Sequence, residues 1–265
     1  MSAAAEARLS ELDRALDAQD ASPELAAELF SVADLLGGQV SLRNALADPT
    51  VPDDRRRELA DRVFGSRLGK SAAAVVGTAA GLRWGTASGF VAAIDRQGVR
   101  ALFAHALAVG TLDTVEDELF RFTRTVIGDS PLRQVVDDRT APVAARQQLV
   151  DDLLSGRADP DTLALARRAV ARATVSFEAT AEAYLGLAAA IRQRAVATVT
   201  VARPLTGAHR QRLQAVIERQ LGRQVSLQVV VDPSVLGGAR VQVGDEVIEG
   251  TVAGRLAAAS KQLTQ

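Results

Sequence analysis

The sequence predicts a mainly α-helical protein: two tandem helical bundles made from one duplicated module, then a small α/β unit. Three observations predict it. Residues 28–64 align without gaps on residues 118–154, an offset of 90, with 12 identities in 37 positions. The chain is 48% hydrophobic but only 3% aromatic, so its core is built from Ala, Leu and Val, which favours closely packed helices over a sandwich. At Ala195 the apolar period drops from three-or-four to two, the change from helix to strand.

The duplication is legible residue by residue. Glu28-Leu29-Phe30 falls on Glu118-Leu119-Phe120, and Leu42-Arg43 on Leu132-Arg133. Asp48, Thr50 and Pro52 fall on Asp138, Thr140 and Pro142, and Arg56, Leu59 and Asp61 on Arg146, Leu149 and Asp151. The apolar positions Leu25, Leu29, Val32 and Leu36 map onto Val115, Leu119, Phe122 and Val126.

In chain order, residues 2–18 place Ala5, Leu9, Leu12 and Leu16 on one helical stripe. Ser22-Pro23-Glu24 starts a second helix with an N-cap, a first-turn proline and an acid near the positive end, and Gly37-Gly38 ends it. A short helical turn, 41–46, leads to the loop Asp48-Pro49-Thr50-Val51-Pro52, after which Asp53 is placed to cap a helix carrying Leu59, Val63 and Phe64. Segments 71–84 and 86–97 supply two more. The second copy repeats the plan with helices over about 99–109, 113–127, 143–154, 160–173 and 176–194; Asp159-Pro160-Asp161 is a strong start signal. The last helix of the first copy, with Phe90 and Ile94, is placed to run on into the first helix of the second, with Leu102 and Ala106, and Gly98 at the junction offers a point for a kink.

From Ala195 on, Val196–Val201 alternates as a strand and Arg203-Pro204 stops it. Thr206 caps a helix holding Leu213, Ile217 and Leu221. Val225, Leu227, Val229 and Val231 form a second period-two strand. Val241-Gln242-Val243 and Val247-Ile248 flank Gly244-Asp245 as a hairpin, and Gly250-Thr251 opens a final helix with Val252, Leu256 and Leu263. The expected division is 1–97, 98–195 and 196–265.

Composition excludes several functions. A net charge of -1, from 31 basic and 32 acidic residues, argues against a general nucleic-acid or anionic-membrane binder. With no Cys there is no disulfide framework, thiol nucleophile or Cys-ligated metal, which fits a reducing cytoplasm. The first 16 residues are charged and amphipathic, unlike a signal peptide. The longest weakly polar run, 71–82, falls short of the ~20 residues a membrane helix needs. Work at a membrane then requires a partner as tether.

No catalytic, metal or cofactor site is expected. His105 and His209 are far apart, with no ligand neighbours in sequence, and read as surface or core residues. Asp53-Asp54 and Asp151-Asp152 read as solvated helix faces rather than carboxylate dyads, and Arg55-Arg56-Arg57 and Arg167-Arg168 as solvated helix charge rather than phosphate contacts. Gly65–Ser71 echoes a phosphate loop but has three residues between its glycines instead of four and follows no strand. Trp84 reads as a core anchor, with an interface role as the alternative. Grooves of Ala and Leu between helices suit an amphipathic partner helix, and burial of its leucines contributes roughly 25 cal/mol per Å². Two such grooves on one chain strengthen holding through effective concentration.

The C-terminal stretch resembles the signature of the delta subunit of F-type ATP synthases, whose mitochondrial counterpart is the oligomycin-sensitivity-conferring protein. Asp232-Pro233, Gly237-Gly238, Gly244-Asp245, Val247-Ile248, Gly250-Thr251 and Arg255-Leu256 fill the family's slots, with Glu249 where Asp is usual and Thr251 where Ser is usual. Upstream, 199–205 resembles the family's entry into that domain. The family has one six-helix bundle before this segment; here a second precedes it, as in the long delta subunits of actinobacteria, some of which are fused to a stalk subunit.

The resemblance implies a non-catalytic stator subunit. Its helical domain would bind the N-terminal helices of ATP synthase alpha subunits, here along Leu102, Ala106, Leu163, Ala166 and Val170. Its C-terminal domain would bind the b or b-prime peripheral stalk subunit through Val229, Val231, Val241, Val243, Val247, Ile248 and Leu256. It implies one copy per complex, held peripherally at the cytoplasmic face of the cell membrane. Two other readings stay open on the residues alone: a helical adaptor regulating a different assembly, and an enzyme with a site of dispersed carboxylates.

Overall fold

The computed structural model describes residues 3–172, 175–194, 196–221, 225–233, 235, 238–243 and 246–249. The chain divides into two compact units, 1–188 and 189–265. The first is all helical: α1 (Ala3–Asp17), α2 (Pro23–Gly38), α3 (Val40–Ala47), α4 (Asp53–Phe64), α5 (Lys70–Gly81), α6 (Ala87–Val109), α7 (Leu112–Gly128), α8 (Ser130–Asp137), α9 (Val143–Leu154) and α10 (Pro160–Ala171), followed by α11 (Phe177–Arg194). The 90-residue offset holds in three dimensions: α4 and α9, and likewise α5 and α10, begin and end at equivalent positions.

The retained residues recur because they make the same bonds twice. Asp48 accepts from the Thr50 amide (2.9 Å) and hydroxyl (2.7 Å); Asp138 accepts from the Thr140 amide (2.8 Å) and hydroxyl (2.6 Å), so each interhelix loop is closed by an Asx turn. Glu28 accepts from the Gly69 amide at 3.0 Å, and Glu118 from the Asp159 amide at 2.8 Å, each satisfying an orphan donor at the start of a helix. Thr86 and Ser176 cap α6 and α11 through the amides of Gly89 (3.0 Å) and Ala179 (3.2 Å). Arg56 donates to the carbonyls of Ala80 (2.7 Å), Gly81 (3.0 Å) and Leu82 (3.2 Å) at the end of α5, and Arg146 to that of Val170 (2.5 Å) at the end of α10.

Both arginines are buried, so a reading of Arg56 as solvated charge is corrected. The charge run hid it: one guanidinium of three turns inward, where the last carbonyls of α5 need donors. A second correction concerns Asp53, which is the first residue of α4; Pro52 holds the N-cap position and no side chain caps it.

The copies share a helix. The helices on either side of Gly98 do run on into one, α6, 23 residues long and ended by Gly110 in the left-handed region (φ 83°). Gly98 sits inside it without breaking it, and its missing Cβ leaves room for the Phe30 ring; any side chain there would collide with that ring. The division expected at 97/98 therefore falls within a continuous helix, and both copies belong to one compact unit. The core of this unit is Leu, Ala and Val with a few aromatics: Leu12, Leu29, Phe90 and Ile94 around the first copy, Val115, Leu119, Phe122 and Phe177 around the second. Phe122 meets Phe177 edge-on at 5.6 Å, and buried Trp84 donates to the Ala79 carbonyl at 2.8 Å, the core anchor expected.

Among its described residues the second unit holds a mixed four-stranded sheet and the helix α12 (Gly207–Leu221). The strands are β1 (Val196–Val201), β2 (Ser226–Val231), β3 (Ala239–Val243) and β4 (Glu246–Glu249), in the order β2-β1-β3-β4. β1 pairs parallel with β2 (Val199 opposite Val229) and antiparallel with β3 (Val199 opposite Val241); β3 pairs antiparallel with β4. The parallel β1–β2 pair needs a crossover, and α12 supplies it. Period-two alternation sends Ala197, Val199, Val201, Leu227, Val241 and Val243 to one face, where Ile217 and Leu213 of α12 cover them. The turn at Gly244-Asp245 and the final helix expected after Gly250 lie outside the described residues.

Candidate docking surfaces

In the first unit the two copies are joined by a buried ionic cluster. Arg168 of α10 is 8% exposed and reaches across to the first copy: its guanidinium lies 2.5 Å from Asp95 of α6 and 2.8 Å from Asp34 of α2, and stacks over the Phe30 ring at 4.7 Å. Arg172 adds a second pair to Asp95 at 2.7 Å. Burial works against the charged guanidinium of Arg168, but the carboxylates of Asp95 and Asp34 outweigh it and hold its pKa above the ordinary value. Arg168 is thus not the solvated charge that its Arg167-Arg168 run suggested. Its partners lie 73 and 134 residues away in sequence, beyond the reach of any local pattern.

Beside this cluster opens a cleft of about 440 Å³ between α2, α6 and α10. Ala26, Ala27 and Phe30 form one wall, Leu163 and Ala164 the other, and Leu102 the floor; Asp34, Asp161, Arg167 and Arg168 line it as well. At one end His105 Nδ1 lies 2.7 Å from Asp161 Oδ2, a pairing that no sequence neighbour signalled. Burial raises the Asp161 pKa above the usual carboxylate range, partly offset by the hydrogen bond and charge of His105. A shallow apolar trough with a charged rim can hold the apolar stripe of a helix. Among the described residues no group of three or more His, Asp or Glu side chains is placed to hold a metal ion.

The residues expected to bind the alpha helix separate in the structure. Leu102 and Leu163 come together in the cleft, Leu163 half-buried. Ala106, Ala166 and Val170 are at most 1% exposed and do not line it; helical spacing places them on the inward face, where they pack the core. The cleft wall that sequence reasoning did not name is Ala26, Ala27 and Phe30. They belong to the first copy, while the reading sought the groove within the second.

In the second unit, Val241 and Val243 are buried under α12 and hold the sheet together. Val229 is half-buried at the same core, and Val231 is 45% exposed. On the opposite face lie Thr198, Thr200, Gln228, Val230, Arg240 and Gln242, more polar and partly or fully exposed. Val247 and Ile248 sit in β4, and Asp232, Pro233 and Gly238 (φ 83°) in the β2–β3 connection. Gly237, Gly244, Asp245, Gly250, Thr251, Arg255 and Leu256 lie outside the described residues.

The profile of the family described as "ATP synthase delta (OSCP) subunit" matches residues 94–263, the second copy and the α/β unit together. The chain belongs to this family. A protein of Parafrankia sp. (strain EAN1pec) named "ATP synthase subunit delta" is 45% identical over 243 residues, covering 91% of this chain and 87% of its own. One of the same name from Nocardia farcinica is 42% identical over 236 residues, covering 89% and 88%. Alignments of that length include most of the first copy, so the duplicated delta architecture is shared with these relatives. A chain of the Toxoplasma gondii mitochondrial ATP synthase hexamer covers 63% of this chain and 95% of its own at 19% identity, with a TM-score of 0.33, too low to bear on the fold.

Proposed function

We propose that this delta-family chain is the peripheral-stalk subunit of an F-type proton-translocating ATP synthase, joining the catalytic head to the membrane-anchored stalk. The observation that carries the reading is the family match across the second copy and the α/β unit, with relatives named "ATP synthase subunit delta" over nine-tenths of the chain. The helical unit takes alpha-subunit N-terminal helices, with the Ala27–Leu102–Leu163 cleft as the seat. The α/β unit, 196–265, takes the b or b-prime stalk. The chain makes and breaks no bond; it resists the torque of the rotor while the head turns over. It is held at the cytoplasmic face of the cell membrane through the complex, and among the described residues no single helix is long and apolar enough to cross a bilayer.

The test is coupling. Membranes bearing a cleft variant, Leu163→Glu, should keep ATP hydrolysis by the head and lose proton-driven ATP synthesis. Loss of hydrolysis together with synthesis, with the variant folded, would contradict a purely tethering role.

A further inference from the structure

The duplication allows one surface to be read from another. In the first copy, the outward face of α2 meets the second copy at two residues: Phe30 lies under the Arg168 guanidinium and Asp34 pairs with it at 2.8 Å. Ninety residues on, α7 presents Phe120 and Arg124 at the equivalent positions, one helical turn apart on one face. Phe30 is half-buried; Phe120 is 52% exposed, a large aromatic side chain in water on the most sharply amphipathic long helix of the unit. Around it the charges are sorted along the helix, Glu116 and Asp117 toward the N-terminus, Arg121 and Arg124 toward the C-terminus.

The repeat says what kind of element meets such a face, and the changed charge says which. On α2 the contacting element is a helix, α10, that brings a cation to Asp34. On α7 the counterpart of Asp34 is Arg124, so a second copy of this chain offering its own Arg168 would meet a like charge, whereas a carboxylate would complete the pair. We infer that the Phe120 face of α7 is a docking surface for an amphipathic helix of another subunit, one that lays an apolar side chain on Phe120 and aims an Asp or Glu at Arg124. This goes beyond the two attachments proposed above and adds a third, on the second copy alone. Aromatic residues and Arg are the side chains most enriched where such contacts carry energy, and a charged rim around one apolar knob sets register.

The experiment is photo-crosslinking in the purified, assembled complex with p-benzoylphenylalanine at position 120, alone and combined with Arg124→Glu, and with the same probe at position 163 as a separate sample. The inference expects a crosslink from position 120 to one helical segment of another subunit, bearing an acid about one turn from the attachment point. Arg124→Glu should lower that yield by at least about fivefold, the scale of a reversed charge at an interface, and leave the crosslink from position 163 unchanged. Crosslinks from position 120 confined to this chain, or none, overturn it. So does a partner segment without an acid, or a yield indifferent to Arg124→Glu. A crosslink from position 163 to the head in those cases would leave the tethering role standing while the α7 surface falls.

Discussion

Replacing Arg168 by Met tests how the two copies are held together. The change removes the Asp95 pair at 2.5 Å, the Asp34 pair at 2.8 Å and the stack on Phe30. Asp95 is the costly remainder: its side chain is 5% exposed and, among the described residues, keeps the pair with Arg172, itself 26% exposed. Stranding one partner of a buried pair costs about 3–5 kcal/mol, and the remaining partner argues for the lower end, about 3. The Asp34 carboxylate is 66% exposed, so its pair adds at most about 1 kcal/mol. The cation–π contact adds about 0.5–1 kcal/mol. The sum is roughly 3–5 kcal/mol, reduced somewhat by the apolar packing of Met. The single Trp of the chain, Trp84, is buried in the helical unit, so its fluorescence during urea unfolding reports on that unit alone. With a urea slope of about 2 kcal/mol per M, the midpoint should fall by about 1.5–2.5 M. Adding Asp95→Asn should restore part of the loss, because removing both members of a buried pair costs less than removing one. A fall below about 0.5 M, or a double variant no better than the single, would refute the claim that this cluster joins the copies.

Three further outcomes follow from the same geometry. Burial raises the Asp13 pKa, but the hydrogen bond from Arg96, the charges of Arg100 and Arg96 and the Gln97 amide outweigh it and leave it below the ordinary carboxylate value. Its folded pKa lies under its unfolded one, so its contribution is present above the unfolded value and is lost as pH falls through the folded value; Asp13→Asn should flatten the acid limb of a Trp84-monitored stability profile. Gly98→Val drives a side chain into the Phe30 ring and should lower stability by about 1–3 kcal/mol in urea unfolding, whereas Gly98 acting only as a flexible point predicts a gain. Val241→Asp buries a carboxylate beneath α12 and should abolish strand structure by circular dichroism while Trp84 fluorescence stays native, because the two residues belong to separate compact units.

What the sequence showed and what it hid divide along local and distant physics. The repeat, the caps at Ser22, Thr206 and Asp159 and the strand at Val196 were legible because each is written in neighbouring residues. The run-on of α6 across the copy boundary was legible in its apolar spacing, but Gly98 reads as a point for a kink until its neighbour Phe30 is known. Arg56 and Arg168 look like solvent charge in a row of letters; their burial depends on carbonyls and carboxylates from other helices. Half of the candidate docking cleft escaped for the same reason. Leu102 and Leu163 were named from the family resemblance, which is carried by the second copy and the C-terminal unit, but Ala27 and Phe30 come from the first copy and meet them only in three dimensions.

The tethering role is tested most directly by calorimetric titration of a synthetic peptide of the same organism's alpha-subunit N-terminus into the full chain and into its Leu163→Glu variant, with Trp84 fluorescence confirming that both are folded. Saturable binding to the full chain, weakened at least about tenfold by a carboxylate placed against the apolar wall of the cleft, is the predicted result. No binding to the full chain, or equal binding to both, would contradict the account.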